Sequence, residues 1–319
     1  MIYNTSMIEN LFIFTVSVFL LIKGATLSTK YAFKVAENFK LSKYIIGFII
    51  IAIISIIPEV FVSINSALEG VPALGLGTLF GGNVADMTLV FAVIIFFAGR
   101  GIKIESKILK ENLIYPFILI IPIILGLDGY YSRWEGLGLI ITGLIFYYLT
   151  FRKNAEKQIV SSVVIIERKN RNKDILFLLL SMASLLIGSH FIVTSTINLA
   201  SYIGISSTVI GMLIIGVGTT MPELFFCLSA VKKNNDSLAM GDLLGTVLAD
   251  ATVVIGLLAL ISPFYFPQKI IYSAGIFMVI SSFMLFYFMY SGKFLSKKES
   301  YFLLLFWILF VFVEILLNI

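Results

Sequence analysis

The sequence has 319 residues, 59% of them apolar and only 13% charged, with a mean hydropathy of +1.04 and a formal net charge of +5. That composition is a polytopic membrane protein's, and it leaves no stretch polar and long enough for a separate soluble domain. The basic residues collect in alternate loops, which argues against nucleic acid as the reason for the net charge, and the single Cys227 excludes an intrachain disulfide or a multi-cysteine metal cage.

A membrane-spanning helix needs about 20 mostly apolar residues. In chain order such runs fall at 8–29, 44–68, 72–98, 112–127, 134–151, 175–199, 206–231, 238–263, 270–291 and 300–318, so ten spans are expected. No basic region and no small-residue cleavage site accompany the first run, which reads as a retained helix rather than a cleaved signal. Lys30, Lys34, Lys40 and Lys43 follow it; the next alternate loops carry Arg100 to Lys110, Arg152 to Lys173, Lys232 with Lys233, and Lys293 to Lys298. The intervening loops carry only Arg133 and Lys269, and Lys23 snorkels from within the first span. The positive-inside rule makes the basic loops cytoplasmic, so both termini are expected outside a multi-pass cell-membrane protein.

The sequence repeats itself at an offset of 164 residues without a gap. Gly24 falls on Gly188, Ile46-Gly47 on Ile210-Gly211, Pro58-Glu59 on Pro222-Glu223, Gly77 on Gly241, Gly81 on Gly245, and Ala85-Asp86 on Ala249-Asp250. Five spans is an odd number, so the second copy enters the membrane upside down. The expected fold is an all-α membrane protein of ten transmembrane helices arranged as two inverted five-helix repeats, residues 1–151 and 175–319. Segment 152–174 is expected to be a plain cytoplasmic linker. Inverted repeats are characteristic of secondary transporters that bind substrate near the bilayer midplane.

Four acids lie inside apolar spans at matching positions: Glu59, Asp86, Glu223 and Asp250, with 27 residues between the members of each pair. Each carboxylate at a helix centre costs about 2.5–3.5 kcal/mol, and no Lys or Arg lies deep in the same spans. Cations or protons are therefore expected to neutralise them, against the alternative that the acids pair with one another in protonated form. Pro58 and Pro222 lack an N–H and loosen the helix near Ile54 and Gly218. Ser55 and Thr219 stand four residues before the two glutamates, on the same helix face. Carboxylates, hydroxyls and freed carbonyls without His or Cys form a hard-oxygen set that suits Ca²⁺ and Na⁺ better than Zn²⁺ or Cu⁺.

Pro58-Glu59 with Gly77 to Asp86, and Gly218-Thr219-Thr220-Met221-Pro222-Glu223 with Gly241 to Asp250, resemble the two α-repeats of the sodium/calcium exchangers, members of the cation/calcium antiporter superfamily. Here the α-repeats span about 44–98 and 206–263, and the resemblance covers nearly the whole chain, as in compact prokaryotic members. It implies alternating access, in which two gating helices slide against an eight-helix core and ions sit on spans 2, 3, 7 and 8. By position, Glu59 and Glu223 match the central calcium-binding glutamates, and Ser55 and Thr219 the residues whose carbonyls assist them. Asp250 matches the acid of the second repeat, and Asp86 a position usually held by Asn. Thr220 and Thr246 match hydroxyl positions of the sodium sites.

Three departures bear on the coupling ion: Ile56 and Gly82 each stand where the pattern has a hydroxyl, and Asp86 adds a carboxylate. The resemblance therefore implies a Ca²⁺/Na⁺ antiporter without a cofactor, not an enzyme and functional as a monomer, with H⁺ or K⁺ coupling as alternatives. A passive cation channel and an intramembrane hydrolase using paired acids are the rival classes; recurrence of all four acids by repeat symmetry favours ion coordination. His190 in the sixth span reads as a packing residue, and Asp242 as an acid near the entrance or at a helix break.

Overall fold

The computed structural model describes residues 6–36, 48, 51–104, 114–155, 171–292 and 294–318. Among them, eight helices are long and apolar enough to cross a membrane: α1 (Met7–Ala36), α3 (Pro72–Ala98), α5 (Arg133–Ala155), α6 (Arg171–Ile203), α7 (Ser207–Lys232), α8 (Asp236–Ile261), α9 (Ile271–Gly292) and α10 (Lys297–Asn318). Two shorter apolar helices complete the described set, α2 (Ala52–Leu68) and α4 (Tyr115–Asp128). Most of the expected start of the second span, and residues 156–170 of the expected linker, lie outside the described residues. The long uncharged run from 175 to 222 is divided at Gly204, whose φ of +76° ends α6 in the left-handed conformation that glycine adopts without strain.

Local structure recurs at the same 164-residue offset as the sequence. Helix α2 breaks at Ile56, between Ala52–Ser55 and Ile57–Leu68; α7 breaks at Thr220, between Gly216–Thr219 and Met221–Lys232. Each break falls two residues before a proline in the first turn of the following helix, where the missing N–H removes no helical bond. Helices α3 and α8 each contain a π-turn that begins on an acid, Asp86–Val90 and Asp250–Val254. Within these turns Thr88 donates to the carbonyl of Val84 at 2.5 Å and Thr252 to that of Leu248 at 2.6 Å, so matching threonines cover matching loosened carbonyls.

Packing follows the same exchange. Helix α1 packs most extensively against α6, where Gly24 faces Leu185 and Gly188 faces Leu21. Helix α3 packs on α7 and α8 on α2; a Cβ on Gly81 would strike the carbonyl of Met212, and one on Gly245 the carbonyl of Phe48 at 2.5 Å. Small residues allow this approach, as expected of helices that associate in lipid. Two short antiparallel ribbons cross between the halves: β1 (Ile102–Lys103) pairs with β4 (Phe294–Leu295), and β2 (Tyr130–Tyr131) with β3 (Phe264–Tyr265). Helices α3 and α8 are the most buried, and α1, α6 and α10 the least, so the core lies around the two helices that carry Asp86 and Asp250.

Candidate functional site

The four acids expected from the repeat are buried, at 3% exposure for Glu59, 1% for Asp86, 0% for Glu223 and 1% for Asp250. Their positions follow from the local breaks. Glu59 and Glu223 stand in the first turn of the helix after each proline break, and Asp86 and Asp250 open the two π-turns. π-turns are rare and frequent at functional sites.

The acids form one electrostatic network. Glu59 interacts with Asp86, Glu223 and Asp250, and Asp86 also with Glu223 and Asp250. Several of their oxygens have no hydrogen-bond partner: Oε2 of Glu59, Oδ1 of Asp86, both carboxylate oxygens of Glu223, and Oδ1 of Asp250. Ion pairs are made elsewhere, between Lys34 and Asp174 and between Arg100 and Asp236, and Nδ1 of His190 lies 3.9 Å from the Glu69 carboxylate. His190 thus faces a half-exposed glutamate and not the buried acids.

The hydroxyl residues divide. Thr219 donates to the carbonyl of Gly216 at 3.0 Å and lies beside the Glu59 carboxylate, which brings α7 onto the glutamate of α2. Thr220 donates to the carbonyl of Val217 at 3.0 Å. Thr246 is fully buried and its hydroxyl has no partner. Ser55 donates across helices to Oδ1 of Asp242 at 3.1 Å.

Asp242 is the residue whose place the sequence left open. It is fully buried, it accepts from both Ser55 and Cys227, and it interacts with Glu59, Asp86 and Glu223. The signal was present as a further acid in an apolar run, but its repeat mate is Thr78, so symmetry did not single it out. Cys227 is a buried core residue that donates to Asp242 at 3.4 Å.

Among the described residues, no three His, Cys, Asp or Glu side chains are grouped closely enough to hold a metal ion where they now stand. The arrangement supplies hard oxygens from four helices around one region, not a closed cage.

The family described as sodium/calcium exchanger protein matches residues 9–152 and 173–316, two segments that are themselves 164 residues apart. The chain belongs to the sodium/calcium exchanger family. This family member is similar to inner membrane protein YrbG of Escherichia coli (strain K12), with 27% identity over 71% of this chain and 72% of that protein. The sodium/calcium exchanger MaX1 of Methanosarcina acetivorans is 25% identical, with 95% of this chain and 98% of that protein aligned. Among solved structures, the sodium-calcium exchanger NCX_Mj soaked with Na⁺ and Sr²⁺ shares the fold, with a TM-score of 0.70 and 21% identity over 95% of this chain and 98% of that one. These extents fit a compact prokaryotic type of the family.

Proposed function

We propose that the chain is a secondary antiporter that exchanges Ca²⁺ for Na⁺ across the cell membrane by alternating access. One observation carries this reading. Four buried carboxylates at repeat-related positions interact with one another, with oxygens left without hydrogen-bond partners. Ionised carboxylates in lipid require compensating charge, and hard oxygens supply what Ca²⁺ and Na⁺ bind. In this reading Glu59 and Glu223 hold Ca²⁺ with Ser55 and Thr219, and Asp86 and Asp250 complete the acidic set. Thr220 and Thr246 serve Na⁺. Competition of both ions for the same carboxylates makes the exchange obligatory, because an empty site with its charges uncompensated does not reorient. No cofactor or catalytic step enters this reading.

We read the ten helices as ten spans, five in residues 1–151 and five in 175–319, related by an inverted repeat and joined by the cytoplasmic segment 152–174. The recurrence of breaks, π-turns and glycine contacts at one offset supports this, as do the two ribbons that cross between the halves. The basic loops then face the cytoplasm, the termini lie outside, and one chain carries a complete site.

Ile56, Gly82 and Asp86 favour a second reading, coupling to H⁺ or K⁺, because two hydroxyls are missing from the first repeat and one carboxylate is added. Uptake of ⁴⁵Ca²⁺ into proteoliposomes under separate Na⁺, K⁺ and pH gradients decides between them. Uptake driven by an outward Na⁺ gradient is the expected result. Uptake indifferent to Na⁺ but driven by a pH gradient overturns sodium coupling, and channel-like flux without a counter-ion overturns antiport.

A further inference from the structure

Ser55 differs from most of the other hydroxyls around the acids in where its proton goes. Ser and Thr inside helices ordinarily donate to a carbonyl three or four residues back. Thr219 does so to Gly216, Thr220 to Val217, Thr78 to Leu74, Thr88 to Val84 and Thr252 to Leu248. Ser55, the repeat mate of Thr219, instead donates to a carboxylate on another helix, Oδ1 of Asp242 at 3.1 Å.

Asp242 is itself held in place. Its second oxygen, Oδ2, accepts from Sγ of Cys227 at 3.4 Å, and Cys227 stands one turn after Glu223 on α7, as Ser55 stands one turn before Glu59 on α2. From α8, Asp242 therefore touches the helices that carry both glutamates.

A hydroxyl has one proton and two lone pairs. With its proton committed to Asp242, Ser55 cannot donate to Glu59 and presents only acceptor electrons to a cation. Oε2 of Glu59, which has no hydrogen-bond partner, is then left for the ion.

We propose that Asp242 is a positioning residue for cation binding: it accepts the Ser55 hydroxyl proton and so turns the Ser55 oxygen, as an acceptor, toward the ion held by Glu59. This rests on the exchanger reading, and the wild-type assay separates the two. A wild-type protein that does not take up Ca²⁺ fails the exchanger reading. A wild-type protein that exchanges, but whose variants behave otherwise than below, fails this inference alone.

The test measures Ca²⁺ half-saturation and maximal rate in proteoliposomes for Asp242→Ala, Ser55→Ala, the double variant and Asp242→Asn. Asp242→Ala is expected to raise the Ca²⁺ half-saturation up to about tenfold, the upper range for one lost hydrogen bond. Ser55→Ala is expected to reproduce most of that rise, and the double variant to add little, because both remove the same contact. Asp242→Asn keeps a carbonyl oxygen for Ser55 and is expected to recover most of the loss. Additive losses in the double variant, or no recovery in Asp242→Asn, overturn the proposal. If Asp242→Ala does not yield a monodisperse protein, Ser55→Ala alone still decides, since an unchanged Ca²⁺ half-saturation there also overturns it.

Discussion

At the scale of single residues, the acids are the features most open to prediction from sequence, because a carboxylate in an apolar run is costly unless something compensates it. Glu223 is fully buried with both oxygens unpartnered. On the proposed exchanger reading, Glu223→Gln removes a carboxylate whose contact with the ion would be worth about 2–5 kcal/mol, so Ca²⁺ uptake should fall at least tenfold while the protein still elutes as a single species. Gly82 makes the opposite case. A Cβ built there meets nothing nearer than 3.7 Å, from the Gly216 carbonyl and the Thr220 methyl. Gly82→Ser therefore fits, and it places a hydroxyl against Thr220, where its repeat mate is Thr246. It should lower the Na⁺ half-saturation severalfold without lowering yield; an unchanged Na⁺ dependence would show that the missing hydroxyl does not set the coupling. Hydroxyl directions were not legible in the sequence. Ser55 and Thr219 are equivalent there, and only the neighbouring helix separates a serine aimed at Asp242 from a threonine aimed at its own backbone.

At the scale of elements, prolines and glycines carry most of the readable information. Pro58 and Pro222 predict loosened helix near Ile54 and Gly218, and the breaks fall at Ile56 and Thr220. The shift of two residues arises because proline is accommodated in the first turn of a new helix, so the chain restarts just ahead of it. The π-turns at Asp86 and Asp250 had no sequence signal of their own; an inserted residue in a helix is decided by packing, not by propensity. Gly81 and Gly245 allow backbone contact between neighbouring helices. Gly81→Ala and Gly245→Ala should each destabilise the detergent-solubilised protein by about 1–3 kcal/mol, the usual cost of overpacking. Because the two sites exchange under the repeat, their losses in thermal unfolding temperature should be alike; a loss at only one would mean that the halves do not pack reciprocally.

At the scale of the whole molecule, the halves are tied by contacts that no local pattern announces. One is Arg100, which makes a bidentate pair with Asp236 at 2.8 and 2.7 Å and also reaches the carbonyls of Val231 and Gly101. The Asp236 carboxylate holds this guanidinium above its ordinary pKa through that hydrogen bond. Arg100→Gln should lower stability by about 1.5–3 kcal/mol, the scale of a lost charged hydrogen bond, and should leave the preference for Ca²⁺ over Na⁺ unchanged. Bound substrate should act on the same global stability. Ca²⁺ at 100 times its Kd should stabilise the folded protein by about 2.7 kcal/mol, read as a rise in unfolding temperature that a chelator reverses and that Glu223→Gln abolishes.

Membrane class, the 164-residue sequence repeat, the four symmetric acids and, to within a few residues, the bounds of the eight helices long and apolar enough to cross a membrane were legible along the chain, because hydropathy and buried charge are local properties of sequence. The division of the long run 175–222 at Gly204 was already legible to that precision. Which oxygens face which partners follows from the packing of helices and not from the linear pattern. The placement of Asp242 between Ser55 and Cys227, the crossing of the ribbons and the Arg100 clamp all join residues more than a hundred positions apart, or on different helices. Their geometry is set by the mutual packing of helices, which periodicity and composition do not encode.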